Sequence, residues 1–233
     1  MDAVGSRIRA VRQARGMSLR ALAEKVGVSA SMLSLIENGR SRSSIPTLYA
    51  VVEALDMSMD SLFSDGPTRA EPAPARPAAP GRAASSELVV VRADSRRSIV
   101  METGVVWEQL GHHDDDGVEF LLVTYPPGAS SSDSGRYQRH NGLECAHITQ
   151  GELTCKVTFE EVTLYAGDSI TFDSSRPHLF ENKGSVDMRA VWLVLRHRTA
   201  ATDDVPGAEQ LARHLPDVLA MSRPAADDGL RQR

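Results

Sequence analysis

The sequence predicts a two-domain chain of the α plus all-β class, with a five-helix bundle followed by a β sandwich or barrel. Three observations carry this. Apolar residues recur with a period near 3.6 over residues 5–63, as they do on helices with one buried stripe. Residues 67–86 read PTRAEPAPARPAAPGRAASS, a Pro/Ala-rich stretch with no periodic apolar pattern and so no means of burying a core. Beyond residue 87 the pattern changes to short apolar runs separated by turn clusters. The implied boundaries are 1–66 for the helical domain, 67–86 for a flexible linker, 87–198 for the β domain and 199–233 for a tail.

Within the first domain, Val4, Ile8 and Val11 mark the buried stripe of a first helix ending near Gly16. Ser18 caps a second helix carrying Leu22, Ala23 and Val26 and stopping at Gly27. Ser29 caps a third, with Leu33 and Ile36 inward and a stop at Asn38-Gly39. Ser44 opens a fourth, with Pro46 in its first turn and Leu48, Val51, Val52 and Leu55 apolar. A last short turn holds Leu62 and Phe63.

In the β domain the expected strands are Leu88–Val91, Val105–Leu110, Glu119–Tyr125, Glu144–Thr149, Leu153–Phe159, Val162–Tyr165, Ser169–Phe172, His178–Asn182 and Met188–Leu195. Cys155 is expected in the core on one face with Leu153, Val157 and Phe159. The His112-His113-Asp114-Asp115-Asp116-Gly117 run has ligand-type residues, but a charged turn does not preorganise a site, so it reads as a solvated loop. One helix is expected near Gly207–Met221, bent at Pro216, with a frayed end beyond.

No apolar run approaches the ~20 residues of a membrane span, and nothing after Met1 resembles an export signal, so a cytoplasmic protein with reduced Cys145 and Cys155 is expected. The net charge of −5 conceals an asymmetry. Residues 1–42 hold eight basic and three acidic side chains, a local +5, whereas 87–198 hold eleven basic and seventeen acidic, a local −6. Polyanion binding depends on where the cations lie, because counterions are released locally.

Residues Ser18 to Gly39 read SLRALAEKVGVSASMLSLIENG and resemble the helix-turn-helix of repressor and Cro-like regulators, the xenobiotic-response-element family. Small Ala23 lets two helices cross closely, Gly27 supplies the turn, and Val28 plugs the wedge beneath. The resemblance implies that Ser29, Ala30, Ser31 and Ser34, at the start of the second helix of the pair, enter the major groove of double-stranded DNA. Arg20, Asn38, Arg40 and Arg42 are placed for phosphates. Arg12 and Glu37 are expected to form a structural ion pair.

Residues 138–151, QRHNGLECAHITQG, and 167–182, GDSITFDSSRPHLFEN, resemble the two motifs of the cupin superfamily, which implies a double-stranded β-helix barrel. His140, Glu144 and Gly151 fit the first motif, with Gln138 in place of its first histidine. Gly167, His178 and Asn182 fit the second, with Asp173 and Ser175 in place of Pro and Gly. Gln138 and His140 are two apart and would share one strand face. His140, Glu144 and His178 then make a two-His-one-carboxylate set suited to Fe(II), Mn(II), Ni(II) or Zn(II). Gln138 would add a weak fourth ligand or contact an effector, and Phe180 would share the effector pocket with it. Cys145 and His147 should face away.

Together the motifs resemble helix-turn-helix plus cupin regulators, which implies a homodimeric transcriptional regulator with a two-fold operator and a small-molecule effector, and no membrane partner. The competing reading is a mononuclear iron enzyme similar to the hydroxypropylphosphonate epoxidases, which join the same two kinds of domain.

Overall fold

The computed structural model describes residues 3–63, 89–111 and 117–196. The proposed linker, the His112–Asp116 run and the tail with its expected helix lie outside these residues.

Four α-helices form the first domain: α1 (Ala3–Ala14), α2 (Leu19–Val26), α3 (Ala30–Glu37) and α4 (Ile45–Ala54). Each of the three expected serine caps is made: the Ser18, Ser29 and Ser44 hydroxyls accept from the Ala21, Met32 and Thr47 amides. Gly27 ends α2 in the left-handed conformation with φ 74°, which turns the chain directly into α3. The fifth expected helix is instead a single 3₁₀ turn, Asp60–Phe63, too short for the α pattern but enough to bury Leu62 and Phe63. A Cβ at Gly5 would overlap the Ile36 carbonyl, so glycine is what permits α1 and α3 to approach this closely.

Nine strands follow among the described residues: β1 (Ser98–Val100), β2 (Val106–Gln109), β3 (Val118–Tyr125), β4 (Leu143–Gln150), β5 (Glu152–Val157), β6 (Glu160–Tyr165), β7 (Ser169–Asp173), β8 (His178–Glu181) and β9 (Met188–Leu195). They make two antiparallel sheets, ordered β1-β2-β3-β9-β4-β7 and β6-β5-β8. Their inner faces meet through aromatic contacts such as Phe180 on Trp192, with ring centroids 5.0 Å apart.

Three expectations for this domain need correction. Residues 89–91 are exposed or half-buried and form no strand; the first strand is β1, whose partner β2 supplies the pairing that residues 89–91 lack. Phe159 is fully exposed rather than core, because β5 ends at Val157 and Thr158 takes a positive φ of 58°, which breaks the alternation one residue before it. Gln138 and His140 do not lie on a strand: Gln138 makes an isolated bridge with His178, and His140 sits in the following loop.

The helical bundle and the β domain belong to one compact unit. They meet at α4, where buried Tyr49 reaches the β domain, and also through Gln109, which donates to Asp60 at 3.1 Å, and the Glu102 amide, which donates to the Ser43 carbonyl at 3.1 Å.

Candidate functional site

Glu144 is the second residue of β4 and points inward, registered between Val194 of β9 and Phe172 of β7. The alternation that buries it turns Cys145 and His147 outward, as expected. His178 opens β8 and is fully buried. His140 is delivered by a loop rather than a strand, and the loop is pinned: Ser174 donates its hydroxyl to the His140 and Gly142 carbonyls, while the His140 amide donates to the Ser174 carbonyl.

One oxygen of Glu144 is taken, since Oε2 accepts from the Trp192 indole at 2.8 Å. The other, Oε1, lies 2.6 Å from His140 Nε2 and 3.2 Å from His178 Nε2. All three atoms are buried and face one another, with no partner outside the cluster among the described residues. Burial by itself would raise the Glu144 carboxyl, but the two imidazoles overcome it and bring the pKa down to about 2. The Arg176 carbonyl, 2.8 Å from His178 Nδ1, can only accept, so it fixes the proton on Nδ1 and leaves Nε2 free to ligate.

The ligand atoms of His140, Glu144 and His178 lie within 4.8 Å of one another. Oriented imidazole, converging lone pairs and a buried carboxylate are the donor chemistry of a divalent transition-metal site, and the residues fit one. An ion there would neutralise the buried charge and act as a Lewis acid.

Beside this cluster is a small cavity with about 20 Å³ of room for the centres of water-sized spheres, on the order of one or two such spheres. Gln138 and Phe180 line it with Glu144, Tyr125 and Trp107, and the Gln138 Oε1 atom is buried without a hydrogen bond. One lining residue comes from the helical bundle. This is Tyr49, whose ring stacks on His140 with centroids 4.0 Å apart and planes 13° apart. Its hydroxyl donates to Glu119 Oε2 at 3.2 Å, and Arg196 donates to Glu119 Oε1 at 2.8 Å. Burial lifts the Glu119 carboxyl, with Arg196 pulling the other way, and the net shift is upward.

In the helical domain, Ser29, Ser31, Arg20, Asn38, Arg40 and Arg42 are exposed, and Ala30 and Ser34 are half-buried. The Ser29 and Ser31 hydroxyls lie 3.0 Å apart at the open end of α3. Asn38 is held in place: its amide donates to the Ser34 carbonyl at 2.7 Å, and its oxygen accepts from Arg9 at 3.3 Å. Arg12 and Glu37 form the expected ion pair, buried and two-pronged at 2.6 and 2.8 Å.

Residues 8–62 match the helix-turn-helix family model, and residues 121–194 match the cupin domain model. The chain joins a helix-turn-helix domain to a cupin domain. It is homologous to the HTH-type transcriptional regulator PuuR of Escherichia coli, with 28% identity over 77% of this chain and 88% of the relative. Among solved structures, an HTH_3 family transcriptional regulator from Vibrio cholerae superposes with a TM-score of 0.58 at 22% identity, covering 84% of this chain and 97% of that one. The hydroxypropylphosphonic acid epoxidase from S. wedmorenis reaches a TM-score of 0.42 at 18% identity over 83% of this chain and 97% of its own, too distant to bear on activity.

The cupin motifs explain His140, Glu144 and His178 but not the residues that close the cavity from the helix-turn-helix side. Tyr49, Glu119 and Arg196 escaped the sequence reading. One signal was present: α4 carries Ile45 and Tyr49 as well as Leu48 and Val52, and a helix apolar on more than one face is buried on more than one side. No described helix is long and apolar enough to cross a membrane.

Proposed function

We propose that this protein is a sequence-specific DNA-binding transcriptional regulator whose cupin domain senses a divalent metal, a small molecule, or both. The observation that carries it is that the similarity to a transcriptional regulator runs through both domains, 182 residues in all. In this reading the exposed start of α3 enters the major groove, with Ser29, Ala30, Ser31 and Ser34 at base edges. Arg20, Asn38, Arg40 and Arg42 hold phosphates and set the register. The chain works as a homodimer on half-sites about one helical turn, ~34 Å, or a multiple of it apart. His140, Glu144 and His178 hold the ion, Fe, Mn, Ni or Zn, and Gln138 and Phe180 contact an effector.

Selection from a random DNA library with the full chain tests this. A two-fold symmetric motif is expected, bound at least about 1,000-fold more tightly than bulk DNA. Recovery of no motif would refute the reading. Adding chelator should then change operator affinity, by a coupling of about 1–3 kcal/mol if sensing runs through the metal.

A second reading is favoured by one observation, the two-His-one-carboxylate cluster itself, which is also the donor set of mononuclear iron oxidases. Oxygen consumption by iron-loaded protein with a bound substrate distinguishes it, since a regulator has no turnover.

A further inference from the structure

We propose that Tyr49 is a built-in occupant of a ligand subsite formed by the His140 ring face, the Glu119 carboxylate and Arg196, and that this subsite takes a hydroxylated aromatic compound in competition with the helix-turn-helix domain. The consequence for DNA rests on the regulator reading above; the subsite chemistry does not.

Three features of the structure support it. The cavity holds one or two water-sized spheres, so no organic molecule enters until a wall moves. Among the lining residues Tyr49 alone belongs to the helical domain, and the rest are fixed in the barrel. Tyr49 therefore moves with its domain, whereas displacing Trp107 or Trp192 would disrupt a sheet. Its contacts are also those of a bound ligand rather than of generic packing: a near-parallel stack on an imidazole, a hydroxyl on a buried carboxylate, and a guanidinium 5.9 Å from the ring centre.

If the phenol side chain leaves, it exposes a flat imidazole face, a charged acceptor that is 2% exposed, and the guanidinium paired with that acceptor. That vacancy is shaped for a planar ring carrying a hydroxyl donor. A ligand of this class substitutes for Tyr49 contact by contact, and the helical domain loses its deepest anchor on the barrel. Other bonds between the domains, Gln109 to Asp60 and Glu102 to Ser43 and Ser44, lie outside this subsite. An organic ligand and the docked reader are thus alternatives, while a metal ion on His140, Glu144 and His178 is compatible with both.

The probe is 4-methylphenol, the tyrosine side chain itself, titrated into the full-length protein by calorimetry. Affinity should rise in the order wild type, Tyr49→Phe, Tyr49→Ala, by several-fold at the first step and at least about 10-fold overall, as the internal competitor is weakened and then removed. In Tyr49→Ala, adding Glu119→Ala should cost about 10-fold, and toluene, which lacks the hydroxyl, should bind at least about 10-fold more weakly. Equal affinity for all three proteins, or indifference to Glu119 and to the hydroxyl, would overturn the proposal. Should Tyr49→Ala fail to fold by circular dichroism, the wild type and Tyr49→Phe comparison decides the same question. Operator affinity is measured separately: 4-methylphenol should shift it in wild type in the direction that Tyr49→Ala does alone. Correctly ordered phenol binding by a chain that selects no DNA motif would uphold the subsite and refute the regulator.

Discussion

Glu37 in the helix-turn-helix and Glu144 in the cupin are both buried carboxylates, 5% and 2% exposed, and they meet their surroundings in opposite ways. Both oxygens of Glu37 accept from one guanidinium, whose third nitrogen donates to the Met17 carbonyl at 2.8 Å. That network is closed, and its product is a fixed α1–α3 crossing. Glu144 offers one oxygen to Trp192 and turns the other toward two imidazole nitrogens that have no partner beyond the cluster among the described residues. A buried polar group left unsatisfied costs free energy unless something fills the gap. The contrast separates a structural charge pair from a binding site, although each is simply a buried acid beside basic groups in the sequence.

The largest effect should come from opening the closed network. Arg12→Ala leaves Glu37 as an uncompensated buried charge, and the helical domain should lose about 3–5 kcal/mol, read from denaturant unfolding. Replacing both partners by methionine should recover most of that loss. A cost below about 1 kcal/mol for Arg12→Ala would erase the distinction between the two carboxylates.

Glu144→Gln approaches the comparison from the other side. It keeps the shape and an acceptor for the Trp192 indole but removes the charge that a cation needs. Metal per chain, measured by elemental analysis, should fall from about one to near zero, a loss of at least ~100-fold in affinity. Stability of the metal-free protein should fall, since the two imidazoles that hold the Glu144 carboxyl down to about 2 favour its ionised form in the folded state. Equal metal in both proteins would remove the cluster's claim to be a metal site.

Glu119 is the intermediate case, satisfied by one residue from each domain. Tyr49→Phe removes a neutral donor from a charged acceptor that keeps Arg196, and should cost about 1–2 kcal/mol. Burial, reinforced by Glu119 and Glu144, pushes the Tyr49 phenol well above its usual 10. The folded chain therefore keeps a proton that the unfolded chain releases above pH ~10, and stability falls as pH rises past that point. Tyr49→Phe should flatten this alkaline slope in unfolding measurements taken at several pH values, with Tyr125 and the Cys155 thiol, pushed up to about 12, both raised by burial, contributing to what remains. An unchanged slope would place Tyr49 outside the buried contact.

What was legible in the sequence was local. Serines at 18, 29 and 44, Gly27, and the alternation around Glu144 act within a few residues of themselves, and each behaved as its spacing implied. The convergence of His140, Glu144 and His178 was legible through motif resemblance, although the strand geometry offered for His140 was wrong, because a loop clamped by Ser174 can aim a side chain without alternation. Phe159 failed because one positive φ at Thr158 ends a period-two pattern that composition alone continues. Tyr49, Glu119 and Arg196 could not be paired from sequence since their partnerships span 70 and 77 residues, the first across a domain boundary. A local window shows that α4 is apolar on more than one face but not which partner its tyrosine meets.

The smallest predicted effect tests whether the helical domain's exposed cations divide their work as its geometry suggests. Arg42 is exposed beyond α3, within a segment of local charge +5. If it holds a phosphate, Arg42→Ala should weaken binding to every sequence alike and reduce the slope of log affinity against log salt by about 0.9. Ser31 stands at the open end of α3, and under the proposed function it meets a base edge rather than a phosphate. Ser31→Ala should leave the salt slope unchanged and alter preference at one operator position, read from paired titrations over a salt series with matched and single-mismatch duplexes. The opposite pattern, with Arg42 changing preference and Ser31 changing slope, would mean that α3 lies on the DNA in a different orientation. The contrast with the cupin would persist even then, because Arg42 and Ser31 act as solvated groups that give up water on binding, whereas Glu144 has already given up its water in the folded barrel.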